Sequence, residues 1–92
     1  MNRLATLTPR EQDILVGVAA GQSNAQVANE LSLSEKTVTN TLTMIFHKLG
    51  VQSRTEAAVL VLLNSVDGMP LVVRARERAI ERLGVPTAGA AT

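Results

Sequence analysis

At the head of three apolar-patterned stretches the chain sets a serine or threonine three positions ahead of a glutamate or glutamine: Thr8 with Glu11, Ser23 with Gln26, and Ser53 with Glu56. This is the pattern of a capping box. The hydroxyl accepts from the third N–H of a helix, and the longer side chain reaches back to the N–H of the cap itself. Each pair therefore marks a helix start. Pro9, directly after Thr8, strengthens the first, because a missing N–H costs nothing in the first turn. Gly21 and Gly50 provide the matching stops. A chain punctuated this way is expected to be all-α, built from several short helices.

The apolar residues between these marks recur at helical spacing. Ile14, Leu15, Val18 and Ala19 follow the first cap, and Val27, Ala28 and Leu31 follow the second. Ser34 is the N-cap of a third and stronger pattern, in which Val38, Leu42, Ile45, Phe46 and Leu49 line one face. The connection before it, "SLS", is short enough for a helix-turn-helix corner. At about 100° per residue the opposite face of the third helix carries Lys36, Asn40, Thr43, Met44 and His47, flanked by Thr37 and Thr39.

The fourth segment, "SRTEAAVLVLLN", is apolar all round from Ala57 to Leu63. Ala57, Ala58 and Val61, with Leu62 beside them, can serve the core. Val59, Leu60 and Leu63 are left over and need a cover. That cover is either the chain's own fifth helix or the fourth helix of a second copy. "SVDGMP" reads as a turn. "PLVVRARERAIERLG" reads as the fifth helix, from Pro70 to a stop at Gly84, with Val72, Ala75, Ala79, Ile80 and Leu83 as its apolar stripe. Arg74, Arg78 and Arg82 alternate with Glu77 and Glu81, the spacing of a salt-bridged solvent face. The expected organisation is a domain over residues 1–64, an extra C-terminal helix over 65–84 and a disordered tail over 85–92.

With 92 residues the chain makes one small domain, and with one phenylalanine and no tryptophan or tyrosine its core must be aliphatic. The lack of aromatics argues against single-stranded nucleic acid held by base stacking. No cysteine is present, which excludes disulfides, cysteine zinc sites and thiol catalysis. A lone histidine, His47, suits a helix C-terminus rather than a metal site. No nucleophile stands with a base and no glycine-rich phosphate loop occurs, so neither an enzyme nor a cofactor is expected. No apolar run is long enough to span a bilayer and no secretory pattern opens the chain, so a cytoplasmic protein without a membrane partner is expected. Residues 1–64 are electrically neutral: Arg3, Arg10, Lys36, Lys48 and Arg54 balance Glu11, Asp13, Glu30, Glu35 and Glu56. The basic footprint usual for a duplex-DNA binder is therefore faint.

Four stretches, "LTPRE", "GQSNAQVANEL", "LSEKTV" and "KLGVQSRTEA", stand in an order and at spacings that together resemble the LuxR/GerE-type helix-turn-helix domain of bacterial transcription regulators. The resemblance covers about residues 7–63. It implies a four-helix domain whose second and third helices form the helix-turn-helix. The third enters the DNA major groove, and the fourth commonly makes a dimer contact. Ser34, Lys36 and Thr37, at a helix N-terminus, suit a phosphate. Asn40 suits an adenine edge, and Thr43 a thymine methyl or a phosphate. Thr39 flanks them, and Lys48 and Arg54 are placed to hold the backbone. The chain departs from the family pattern where Thr39 replaces a frequent basic residue and Thr41 a frequent histidine, and where Thr43 and Met44 occupy positions often polar or basic.

The leading expectation is a homodimeric regulator of duplex DNA, with Val59, Leu60 and Leu63 as its dimer contact. It would be either a small stand-alone protein or the effector part of a longer one. The competing expectation keeps the fold but weakens DNA binding, and makes the chain an interaction module for itself, another regulator or RNA polymerase. A promoter-touching module of the sigma-factor kind fits the helices but not the "KLGV" and "RTEA" stretches.

Overall fold

The helix starts fall at the expected caps. The computed structural model describes residues 3–63 and 70–84, and among these every regular element is helical. A single 3-10 turn at Arg3–Thr6 precedes α1 (Pro9–Ala19), α2 (Asn24–Leu31), α3 (Glu35–Leu49), α4 (Arg54–Leu63) and α5 (Pro70–Leu83). The turn expected before α5 and the tail over 85–92 lie outside the described residues.

At α1 the Thr8 hydroxyl accepts from the Glu11 N–H at 3.2 Å, and the Glu11 carboxylate accepts from the Thr8 N–H at 2.8 Å. Ser23 and Gln26 repeat this arrangement at α2 with bonds of 3.1 and 2.8 Å. The third pair differs. Ser53 Oγ accepts from the Glu56 N–H, but the Glu56 carboxylate accepts from the N–H of Gln52, one residue before the cap. Ser34 caps α3 by accepting from the Thr37 N–H at 3.0 Å.

The corner between α2 and α3 needs a left-handed residue, and Ser32 takes that conformation at φ 57° and ψ 44°. The Leu33 N–H then reaches back to the Ala28 carbonyl at 2.8 Å, which closes the end of α2 before α3 begins.

The core is aliphatic and centred on α1. Ile14, Leu15, Val16, Gly17 and Val18 are all buried, more than one stripe of a helix. This burial follows from packing, because α2, α3, α4 and α5 all lie against α1. From α3 the core takes Val38, Leu42, Ile45 and Leu49, with Phe46 packed partly against it. From α4 it takes only Ala57 and Val61. Burial of each larger aliphatic side chain contributes about 1.5–3 kcal/mol.

The fifth helix corrects its sequence reading in two ways. Its buried residues are Leu71 and Ala75, while Leu83, expected in the stripe, is exposed. Its arginines leave Glu77 and Glu81 and cross to other helices. Arg74 pairs with Asp13 of α1, Arg78 with Glu30 of α2 at 3.2 Å, and Arg82 donates to the Ala20 carbonyl at 3.2 Å. These acceptors sit on faces already held in place by α1 and α2. A pair between two mobile side chains of one exposed helix gives only a few tenths of a kcal/mol in competition.

Gly17 sets the spacing of α1 and α2. A Cβ there would lie 2.6 Å from Val27 Cγ2 and 2.8 Å from Gln22 Oε1. Gly17→Ala should therefore destabilise the domain by about 1–3 kcal/mol, despite the better helix propensity of alanine. The measurement is urea denaturation of Gly17→Ala, Val27→Ala and the double variant. The double variant should lose less than the sum of the two single changes, because alanine at 27 removes the clashing methyl.

Candidate nucleic-acid interface

Because α3 is anchored by Val38, Leu42, Ile45 and Leu49, its other side is left in solvent. Lys36, Thr37, Thr39, Asn40, Thr43, Met44 and His47 are all exposed, as is the cap Ser34. The structure thus brings the residues expected to face a groove together on one convex surface. Among the described residues the Asn40 amide and the Lys36 ammonium have no partner within the chain, so both remain available to a ligand. Met44 adds apolar surface, with 58% of it accessible.

The hydroxyls of this surface are less free than the sequence suggests. Thr39 Oγ1 donates to the Glu35 carbonyl at 3.0 Å and accepts from Asn24 Nδ2 at 3.3 Å. Thr43 Oγ1 donates to the Thr39 carbonyl at 3.2 Å. Ser34 and Thr37 hydroxyls bond each other at 2.8 Å.

Lys48 and Arg54, expected at a DNA backbone, are engaged inside the fold. Lys48 Nζ donates to both carboxylate oxygens of Glu11, at 2.8 and 3.0 Å. This ties the C-terminal turn of α3 to the N-terminal turn of α1. Arg54, in the first turn of α4, turns back and donates to Asn24 Oδ1 and to the Gln22 carbonyl. Burial lowers its pKa, yet a guanidinium stays charged at neutral pH. Their positions near helix ends suggest an outward role, but their acceptors come from distant segments. Their partners lie 37 and 30 residues away in sequence.

Asn24 is the residue that sequence reasoning missed as a positioning group. Its amide donates to Thr39 on α3, and its oxygen accepts from Arg54 on α4. One side chain at the start of α2 thus aligns the two helices that follow. The only sequence signal was its place inside the "GQSNAQVANEL" stretch.

The leftover residues of α4 divide. Val59 and Leu63 stay exposed, at 44% and 70%, and Leu62, expected near the core, joins them at 60%. Spaced three and four apart, they form one stripe. Leu60 is half-buried and packs against the core. The fifth helix lies chiefly against α1 and meets α4 beside Val61 and Leu62, leaving Val59 and Leu63 uncovered. There, Val61 and Leu62 border a shallow apolar groove with Ala19, Val72, Ala75 and Ala79.

The family model described as bacterial regulatory proteins, luxR family, matches residues 5–61. The transcriptional regulatory protein ComA of Bacillus subtilis is 48% identical over 63 residues, covering 68% of this chain and 28% of that protein. The nitrate/nitrite response regulator protein NarP of Escherichia coli is 43% identical over 58 residues, covering 63% of this chain and 27% of that protein. The DNA-binding transcriptional activator DevR/DosR of Mycobacterium tuberculosis is 41% identical over 56 residues, covering 61% of this chain and 26% of that protein. The chain therefore spans less than a third of the length of these relatives. No solved structure gives a significant match.

The Glu11–Lys48 pair makes stability depend on pH. The bond from Lys48 holds the Glu11 carboxyl below the usual glutamate range, helped by the backbone N–H of Thr8 and opposed by burial. A carboxyl with a depressed folded pKa stabilises the fold above its unfolded pKa, and the contribution disappears as pH falls through the folded value. Glu11→Gln should cost about 1–2 kcal/mol at neutral pH. In urea titrations across pH, the gap between wild type and variant should begin to close below 4.5.

Proposed function

The chain belongs to the luxR family of bacterial regulatory proteins, and from that premise we propose that it is a transcription regulator, or the effector part of one, that binds duplex DNA as a homodimer in the cytoplasm. The observation that carries the reading is the division of α3. Val38, Leu42, Ile45 and Leu49 are buried, while Lys36, Asn40, Thr43 and His47 on the other side are exposed. A helix held this way fits the major groove of B-form DNA, with its N-terminal turn toward the backbone.

In this reading Lys36 and Thr37, at the start of α3, meet a phosphate, with the helix N-terminus and Ser34 behind them. Asn40 takes the N6 and N7 atoms of an adenine. Thr39 and Thr43 border it. Lys48 and Arg54 act first as clasps within the fold. Arg54 keeps further N–H groups, which a passing phosphate can use. The stripe of Val59, Leu62 and Leu63 supports pairing of two copies through α4, with Leu60 beneath it. Among the described residues no helix is long and apolar enough to cross a membrane.

A second reading is an interaction module that uses the same fold to bind another regulator or RNA polymerase. It is favoured by the engaged Lys48 and Arg54 and by threonine at positions 39 and 43, which leave few free cations near α3.

Sedimentation with and without a random-sequence duplex pool separates the two readings. The regulator should sediment as a dimer and shift duplex at sub-micromolar protein. Leu63→Asp should give a monomer with weaker DNA binding. Asn40→Ala should lose about 1–3 kcal/mol of discrimination at a single base position. No association with any duplex at low salt would leave only the interaction module.

A further inference from the structure

Resting on the reading of α3 as the helix that enters the major groove, we infer that Thr39 and Thr43 read the C5-methyl groups of thymine, so that A·T pairs specify the site. The inference starts from where their hydroxyl protons lie. Thr39 Oγ1 bonds the Glu35 carbonyl at 3.0 Å and Thr43 Oγ1 the Thr39 carbonyl at 3.2 Å. A carbonyl has no proton to give, so each threonine must be the donor. Its single hydroxyl proton is thus held within the helix. Asn24 Nδ2 donates to Thr39 Oγ1 at 3.3 Å and fixes that side chain from α2 as well.

What each threonine then shows to a ligand is a methyl group and an oxygen that can only accept. Phosphate oxygens, guanine O6 and N7, adenine N7 and thymine O4 are also acceptors, so none of them is matched. Two kinds of partner remain in the major groove: the thymine methyl, and the amino groups of adenine or cytosine. The neighbourhood selects between them. Thr39 and Thr43 stand one turn apart in one row, and the exposed Met44 adds apolar surface on the far side of Asn40. Asn40, without a partner among the described residues, has the donor and acceptor that adenine requires, and adenine pairs with thymine.

The bond from Asn24 gives the Thr39 hydroxyl a structural role, but it leaves the threonine methyls unused. Thr37, Thr39, Thr41 and Thr43 fill alternate positions of one helix. β-branched residues form helices less readily than the alanine, lysine or glutamate that an exposed face accepts.

The test uses a duplex recovered from a random-sequence pool by the full chain, then resynthesised with deoxyuridine for thymidine at one position at a time. Deoxyuridine lacks only the C5-methyl. Affinity should fall about fourfold for each methyl contacted, the worth of one buried carbon. Thr43→Val keeps the methyl and should keep both affinity and the thymine preference. Thr43→Ser keeps the hydroxyl and should lose the preference at its position. Circular dichroism confirms that both variants stay folded. Equal affinity with and without every methyl overturns the inference while leaving DNA binding standing, as does a preference that survives in Thr43→Ser. Failure of the chain to bind any duplex overturns both readings.

Discussion

The consecutive burial of Ile14, Leu15, Val16, Gly17 and Val18 means that α1 keeps no broad solvent face of its own. A helix in that position must be enclosed by other elements, and α2, α3, α4 and α5 all lie against α1. The scarcity of aromatic side chains, with Phe46 the one in the sequence and only partly buried, tightens the requirement. Aliphatic groups fill space only through close interdigitation, so small changes in spacing are felt across the core. Gly17 is the clearest instance, since its missing side chain lets α2 approach.

This arrangement makes α3 a two-sided element. Its aliphatic side is locked into the core, and its far end is held by Lys48 on the Glu11 carboxylate, which also closes the cap of α1. One buried carboxylate therefore links the start of the first helix to the end of the exposed one. Asn24 does the same at the other end, by bonding Thr39 and Arg54 at once. The cost is that two cations are drawn inward. On the proposed reading, recognition by α3 relies on a neutral amide, methyl groups and Lys36, unpaired among the described residues, more than on an array of charges, and its dependence on salt is correspondingly shallow.

The fifth helix lies beyond the segment that matches the family, yet it is joined to the same core. Leu71 and Ala75 are buried, and arginines on both sides of them reach α1, α2 and the turn between them. Exposed ion pairs of this kind each contribute little. Together with the two buried side chains they orient α5 across α1, where it borders Leu62 of α4. That position leaves Val59 and Leu63 of α4 exposed among the described residues.

Local chemistry alone determined the helix starts, the helix-turn-helix corner and the polar face of α3. A cap acts within three residues and an amphipathic face within two turns, so both are written in short stretches such as "LTPRE" and "SEKTVTNT". The family resemblance is legible for the same reason. Tertiary structure alone decided the partners of Lys48, Arg54, Arg74 and Arg78, the exposure of Leu62, and the burial of Leu71 and Val16. A long cationic side chain takes whichever acceptor the packed helices bring within reach. An aliphatic residue on a helix apolar all round is buried only if another helix settles over it, and neither condition is visible until distant segments meet.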